Sequence, residues 1–151
     1  MNIYSSDVAA VIHETMLAAF AEYRDSEIPS SALDETVDTV ALALKKGEQA
    51  LVGEVNGDII AMVRYQLQDN HLYFSRLSVI PTHQGNGYAK QLVQALDMVA
   101  KTQGKSIIQC KVRMTVPRNI ALYQKLGFII VSQEVLHERD GLTIVTMEKY
   151  L

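Results

Sequence analysis

The most informative segment of the sequence reads Leu77-Ser78-Val79-Ile80-Pro81-Thr82-His83-Gln84-Gly85-Asn86-Gly87-Tyr88-Ala89-Lys90. Its apolar start predicts a strand that stops at Pro81, which has no N–H to donate, and residues 87–103 have the apolar spacing of a helix. Gly85 and Gly87 allow backbone conformations that other residues avoid, so successive N–H groups can converge on phosphate oxygens. The helix N-terminus adds partial positive charge, and small Ala89 permits a close approach. The segment therefore predicts an anion site.

A plainer interpretation of this turn stays open. Such glycines also occur in ordinary strand-to-helix turns, and Lys90, which could add a charge-assisted contact, is a residue type common on any exposed helix face. The turn lacks the Gly-Lys-Ser/Thr of a Walker loop and does not match the full dinucleotide fingerprint. The glycines alone do not decide between the two interpretations.

The elements on either side of this segment are predicted from apolar periodicity and turn residues. Upstream, we predict a strand near residues 2–4, a helix capped by Ser5-Ser6-Asp7, a break at Pro29-Ser30-Ser31, a second helix ending at Gly47, a hairpin of residues 50–55 and 58–67 around Asn56-Gly57, and a strand at 71–80. Downstream, we predict a strand at 105–114, a helix at 118–126, and strands at 128–132 and 142–149. This order indicates a mixed α/β fold with a largely antiparallel sheet and one crossover helix.

Composition favours one intracellular domain. The chain of 151 residues contains no linker, so we predict a single domain over residues 1–151. Cys110 is the only cysteine, which excludes an internal disulfide, and no Cys/His spacing suggests a metal site. The start of the chain resembles neither a signal peptide nor a membrane span. We therefore expect a cytoplasmic protein without metal or membrane contacts.

Charge is distributed unevenly along the chain. Residues 1–70 contain four basic and twelve acidic side chains, a formal charge of −8, whereas residues 71–151 contain ten and five, a charge of +5. An anionic ligand would be drawn to the second half and a cationic one to the first. Two solvated faces of opposite sign are the simpler alternative. A nucleic-acid partner is disfavoured, because the overall balance is acidic and no basic run is interleaved with aromatic residues.

A second motif lies about thirty residues downstream. It reads Arg118-Asn119-Ile120-Ala121-Leu122-Tyr123-Gln124-Lys125-Leu126-Gly127-Phe128. Asn119 and Tyr123 stand four residues apart and share a helix face. Leu122 and Leu126 are expected to form the buried stripe, which leaves Tyr123 at its edge as a core or boundary aromatic.

Together these motifs resemble the GNAT superfamily of N-acetyltransferases over nearly the whole chain. The family loop Gln/Arg-x-x-Gly-x-Gly/Ala is matched at every specified position by Gln84 to Ala89, and the upstream Leu-x-Val by Leu77-Ser78-Val79. The later Leu-Tyr-x-x-Leu-Gly-Phe is matched by residues 122–128, and a closing Met-Glu-Lys by residues 147–149. Four matches in order are far more specific than one.

The resemblance implies a three-layer α/β (α+β) fold and a set of coenzyme A contacts. The sheet would be mixed, mostly antiparallel and six- to seven-stranded, splayed at strands 4 and 5 to admit the pantetheine arm, with about four helices. Acetyl-CoA would be the co-substrate, and Tyr123 would protonate the departing thiolate. The implied coenzyme A contacts are Leu77, Ser78, Val79, Gln84, Gly85, Asn86, Gly87, Tyr88, Ala89, Lys90, Asn119 and Tyr123. Asn119 departs from the commoner pattern, because Val116 occupies the position seven before the tyrosine where the family has asparagine.

Several other polar residues are candidates without an assigned role. Family members often carry a glutamate on the strand before the loop, but Phe74-Ser75-Arg76 has none, so the general base is unassigned. The carboxylates Glu14, Glu22 and Glu27, the histidines His71 and His83, and the arginines Arg64, Arg76, Arg113 and Arg118 are the remaining candidates, the arginines for a 3′-phosphate or an anionic acceptor. Cys110, in a Val/Ile strand, is interpreted as a packed side chain rather than a nucleophile.

The expected function is N-acetyl transfer from acetyl-CoA to a primary amine by direct attack in a ternary complex. The acceptor would be a small-molecule amine or a protein or peptide amine, and the protein a monomer or homodimer. A non-catalytic module that senses acyl-CoA is the chief alternative, and a protein-interaction domain without any nucleotide is the third.

Overall fold

Within residues 1–21 and 31–151, which the computed structural model describes, the chain forms seven strands and four α-helices. The strands are β1 (Asn2–Ser5), β2 (Gln49–Val55), β3 (Asp58–Leu67), β4 (His71–Val79), β5 (Ile107–Arg113), β6 (Ile129–Leu136) and β7 (Leu142–Tyr150). The helices are α1 (Ala9–Phe20), α2 (Val37–Lys45), α3 (Tyr88–Thr102) and α4 (Pro117–Lys125). Short 3₁₀ turns lie at Ser31–Asp34, Pro81–His83 and His137–Arg139.

The strands form one mixed sheet in the order β1-β2-β3-β4-β5-β7-β6. The pairs β1–β2, β2–β3, β5–β7 and β6–β7 are antiparallel. Strands β4 and β5 are parallel and pair from His71 with Ile107 to Tyr73 with Gln109. Their connection contains α3, because parallel neighbours need a crossover whereas antiparallel ones can be joined by a hairpin. The predicted mixed, mostly antiparallel sheet of six to seven strands with about four helices is confirmed, since the sheet has seven strands and the described residues form four α-helices.

The chain divides into two compact units. The first comprises Met1–Gln66 and Phe74–Leu96, and the second Leu67–Tyr73 and Asp97–Leu151. A single domain over residues 1–151 stays a prediction.

The core of the first unit is built around one face of α1. Helix α1 buries Ile12, Thr15, Met16 and Ala19, which share this face because they recur at steps of three and four residues. Two of these side chains form a cluster with residues of the 3₁₀ turn at Ser31–Asp34, α2, β2 and β3, namely Ile12, Met16, Ala32, Val40, Ala50, Val52 and Met62. The β2–β3 hairpin turns at Asn56 (φ 52°) and Gly57 (φ 86°), both in the left-handed region that this turn requires.

Helix α1 lacks the predicted cap, whereas helix α2 is capped. Ser5-Ser6-Asp7 does not cap α1, because the Ser6 hydroxyl accepts from the N–H of Val8, before the helix starts. Helix α2 instead has a reciprocal capping box, in which Thr36 and Thr39 each accept from the other's N–H. The expected break at Pro29 and Ser30 lies outside the described residues, and Ser31 opens a 3₁₀ turn.

One expectation for the second unit is wrong. Tyr123 is the buried residue of α4, whereas Leu122 and Leu126 are only half-buried. The cause is tertiary, since the Tyr123 ring packs against Phe128, with ring centroids 5.6 Å apart. Strand β6 also runs on to Leu136, beyond the predicted end at residue 132, because it pairs with β7 as far as Leu142.

Candidate active site

The turn between β4 and α3 is held by its own side chains. The Gln84 side-chain amide donates to the Val79 carbonyl at 3.0 Å, and the Asn86 amide donates to the His83 carbonyl at 3.1 Å. The first helical hydrogen bond of α3 runs from the Gln91 N–H to the Gly87 carbonyl at 3.1 Å. The N–H groups of the first three helical residues, 88–90, therefore have no partner within the helix. N–H groups without helix partners at a helix start are suited to binding an anion, and anion binding at this turn stays a prediction.

Both glycines of this turn adopt the left-handed conformation and border open space. Gly85 has φ 84° and Gly87 has φ 77°, values that favour glycine over other residues. A Cβ built at either position would meet no other atom within 4 Å. Gln84, Asn86 and Lys90 are exposed as well. Side chains therefore do not block this turn at its two glycines, and a diphosphate could approach its backbone.

Strand β4 contains a left-handed residue that is not glycine. Arg76 has φ 58°, a conformation that costs a non-glycine residue about 1–3 kcal/mol and persists only where its surroundings hold it. Its carbonyl accepts from the hydroxyl of Ser78 at 2.8 Å, and Ser78 is 2% exposed. The hydroxyl of Ser78, a predicted coenzyme A contact, therefore makes its hydrogen bond within the strand. The neighbouring residues Leu77 and Val79 are half-buried.

The side chain of Arg76 joins a network that we name the arginine–glutamate cluster, defined as Glu35, Glu48, Arg64 and Arg76. Arg76 Nε donates to Glu35 Oε2 at 3.0 Å, and Arg64 Nη1 lies 2.8 Å from both Glu35 oxygens. Arg64 Nε also donates to Glu48. Arg76 Nη2 makes a further contact with the Ser31 hydroxyl at 3.3 Å. One carboxylate is thus shared by two guanidinium groups.

The charged side chains of this cluster are largely buried, which costs free energy unless each charge has a partner. The side chain of Arg64 is 5% exposed, that of Glu48 10% and that of Glu35 18%. Burial alone would lower the pKa of Arg64, but hydrogen bonds and attraction from Glu35 and Glu48 outweigh it and raise the pKa above its usual value. Removing one partner of such a group leaves a buried charge uncompensated. Arg64 is therefore committed to this cluster and cannot also serve a 3′-phosphate.

In the second unit, α4 carries the predicted acid. Tyr123 is 7% exposed, and its carbonyl accepts from the Phe128 N–H at 2.9 Å, which ties the end of the helix to the start of the last hairpin. Asn119 lies one turn earlier and is half-buried. The N–H of Asn119 donates to the carbonyl of Val116, the N-cap residue, at 3.1 Å.

The other candidates from the sequence that the structure describes are exposed, make local contacts or pack in the protein. Glu14 is exposed, and Glu22 and Glu27 lie outside the described residues. His71 contacts the Asn70 side chain, His83 contacts Thr82, Arg113 is half-buried and Arg118 is exposed. Burial raises the pKa of the Cys110 thiol to about 12, which keeps it protonated and supports its interpretation as a packed side chain.

Glu35, like Glu48, is a member of the arginine–glutamate cluster that the sequence did not indicate. It precedes the cap of α2 and carries no motif, and 29 residues separate it from Arg64. One signal was available, because Arg64 directly follows the apolar run Ile60-Ala61-Met62-Val63 of β3, and a charge in a buried strand requires a partner. The identity of that partner could not be derived from the pattern.

The described part of the chain has neither a helix of membrane-spanning type nor a cluster of metal ligands. None of its helices combines the length and hydropathy of a membrane span. Within residues 1–21 and 31–151, no group of three histidine, cysteine or acidic side chains is arranged to hold a metal ion.

The chain is similar in structure to several solved acetyltransferases. Over 100% of both chains it superposes on a ribosomal-protein-alanine N-acetyltransferase from Brucella melitensis, at 15% identity and a TM-score of 0.79. A GNAT family acetyltransferase from Elizabethkingia anophelis with acetyl-CoA bound matches at 15% identity and a TM-score of 0.78, over 99% of this chain and 97% of that one. A chimeric spermidine N-acetyltransferase, derived in part from Vibrio cholerae, matches at 18% identity and a TM-score of 0.74, over 99% and 96%.

At these identities the superpositions show the fold, and membership of a family rests on a separate comparison. No curated protein sequence matches the chain. The model of the acetyltransferase (GNAT) family matches residues 11–128, which include the glycine turn and the helix of Tyr123. The chain therefore belongs to the GNAT acetyltransferase family.

Proposed function

We propose that this protein transfers an acetyl group from acetyl-CoA to a primary amine by direct attack in a ternary complex. The observation that carries the proposal is the open bend before α3, where Gly85 and Gly87 have positive φ and border empty space. Three N–H groups of the following helical turn lack helix partners, and these are the donors that a diphosphate requires.

The proposed coenzyme A contacts follow the backbone of the first unit. The amides of residues 85–90 would hold the diphosphate, with Lys90 adding charge from an exposed position. The backbone at Leu77 and Val79 would pair with the pantetheine amides. The Ser78 hydroxyl is occupied by Arg76, so Ser78 would contribute through its backbone. Gln84 and Asn86 would act by holding the turn, as their contacts with Val79 and His83 suggest.

Catalysis needs a neutral amine and a protonated leaving group. A lysine-like amine with pKa about 10.4 is neutral in roughly one molecule in 2,500 at pH 7, a handicap of about 4.6 kcal/mol. The amine nitrogen attacks the thioester carbon, the C–N bond forms, the C–S bond breaks, and the proton that the nitrogen loses passes to solvent water. We assign to Tyr123 the proton given to the departing thiolate, and a positioned acid of this kind contributes about 10²- to 10⁴-fold in rate. The carboxylate of Glu35 is unsuited as the base, because two arginines hold it.

The acceptor class is proposed as a cationic primary amine. The formal charge of −8 in residues 1–70 would attract a cation. Proteins with this fold include one named for a ribosomal-protein alanine and one named for spermidine, so both a protein or peptide amine and a small-molecule amine suit the proposal. We expect a monomer or homodimer in the cytoplasm, where a single unpaired cysteine is usual.

A sensor of acyl-CoA is the second candidate, favoured by the absence of an acidic residue at Phe74-Ser75-Arg76 of β4. Calorimetry with coenzyme A and a thiol-release assay against a panel of primary amines separate the candidates. The enzyme should bind acetyl-CoA and release thiol only when an acceptor is present. Binding without release for any amine would favour the sensor, and the absence of any affinity for coenzyme A would reject both.

A further inference from the structure

The backbone of β4 is anchored at Arg76 from two directions. The Arg76 side chain reaches Glu35 and Ser31, and the Arg76 carbonyl accepts from the buried hydroxyl of Ser78. Arg76 is one of three non-glycine residues with positive φ among the described residues; the other two, Asn56 and Asp140, lie in hairpin turns. A left-handed arginine inside a strand therefore has a specific support, and this support is the arginine–glutamate cluster.

The anchored peptide is the one that precedes Leu77. Because the peptide unit is planar and trans, the Leu77 N–H points opposite to the Arg76 carbonyl. The hydrogen bond from Ser78 fixes that carbonyl, and the ion pair with Glu35 fixes the side chain of the same residue. The direction of the Leu77 N–H therefore depends on Arg76 keeping its left-handed conformation.

We propose that Glu35, itself held by Arg64, is a positioning residue for the transfer reaction: it anchors Arg76 in the left-handed conformation and so aims the Leu77 N–H at the bound acyl-pantetheine. The inference rests on the proposed function, in which the β4 backbone pairs with pantetheine. Glu35 acts here only through Arg76 and does not touch the substrate. Arg64 serves to keep the shared carboxylate in place, with both Glu35 oxygens 2.8 Å from its Nη1.

Glycine at position 76 provides the decisive test, because it adopts positive φ without any anchor. Arg76→Ala removes the anchor and disfavours the conformation, whereas Arg76→Gly removes the anchor and keeps the conformation accessible. We expect kcat/KM for acetyl-CoA to fall at least about tenfold in Arg76→Ala, a loss on the scale of one hydrogen bond. In Arg76→Gly it should stay within about threefold of the wild type.

The same logic applies to Glu35. We expect Glu35→Gln to lower kcat/KM about tenfold, and the double variant Glu35→Gln with Arg76→Gly to recover most of the loss. Affinity for 3′-phosphoadenosine 5′-diphosphate, which has the diphosphate but no pantetheine, should be unchanged in all variants. A general loss of folding would lower that affinity too, so this measurement separates positioning from stability. If Glu35→Gln does not fold, the two Arg76 variants decide alone.

Equal losses of kcat/KM in Arg76→Ala and Arg76→Gly would overturn the inference. They would mean that the guanidinium itself acts in the reaction, for example on an anionic acceptor. Wild-type protein that neither binds acetyl-CoA nor releases thiol would refute the proposed function and this inference together. Active wild-type protein with indistinguishable alanine and glycine variants would refute the inference alone.

Discussion

Replacing Gly87 with alanine changes one backbone position of the turn before α3 without creating a steric clash. Gly87 has φ 77°, and an added Cβ would meet nothing within 4 Å. Only the conformational preference changes, and the left-handed region costs alanine about 1–2 kcal/mol. For a chain of this size, that corresponds to a fall in Tm of about 2–8 °C.

The effect on binding follows from how the strain is relieved. If residue 87 leaves the left-handed region, the neighbouring N–H groups turn away from the diphosphate. A hydrogen bond to a charged group is worth about 1.5–3 kcal/mol, so loss of one should raise the Kd for coenzyme A about 10- to 150-fold. Titration calorimetry measures this change. S-acetylpantetheine, which lacks the diphosphate, should bind equally well to Gly87→Ala and to the wild type.

Gly57→Ala is the matched control. Gly57 has φ 86° and open space around its position, and it lies in the β2–β3 turn of the same unit. The substitution should therefore cost the same stability and leave the Kd for coenzyme A unchanged. Equal affinity of the Gly87 and Gly57 variants for coenzyme A would refute the assignment of the turn as the diphosphate site.

Three further predictions concern single side chains. Tyr123→Phe should lower kcat about 10²- to 10⁴-fold while the Kd for acetyl-CoA stays within about threefold, whereas Tyr65→Phe, which removes the hydroxyl of another buried tyrosine, should preserve turnover. Steady-state kinetics with equal kcat for both variants would reject the acid role. The folded protein holds the Cys110 proton more tightly than the unfolded chain, with a pKa of about 12 against 9.0, so this stabilisation is complete below pH 9 and is lost as pH rises through about 12. Urea denaturation should accordingly show wild-type stability falling relative to Cys110→Ala above pH 9, by up to about 1.4 kcal/mol per pH unit, and a constant difference would contradict the burial of the thiol. Lys149→Met should lower the free energy of unfolding by about 1–3 kcal/mol, because it removes the partner that lies 2.7 Å from the mostly buried carboxylate of Asp97. Lys111→Met removes the partner of the half-exposed Glu134, 3.7 Å away, and should change that free energy by no more than about 1 kcal/mol. Similar losses of stability in the two variants would refute this ranking.

The extent of agreement between sequence and structure depends on the range of the interactions involved. The β2–β3 hairpin was predictable because Asn56-Gly57 determines the turn from two adjacent residues. The buried face of α1 was predictable because spacing of three and four residues places apolar side chains on one side. The burial of Tyr123 rather than its neighbours was not, since it depends on where Phe128 lies after the helix ends.

The amino-acid sequence by itself determined the glycine turn, the order of the elements and the motifs of an acetyltransferase. Each turn, helix, strand or motif depends on residues that are close together in the chain. Only the tertiary structure decided which charges meet. Glu35 is 41 residues from Arg76, and no periodicity connects them. They pair because a buried charge without a partner costs free energy, and only folding brings these two side chains together.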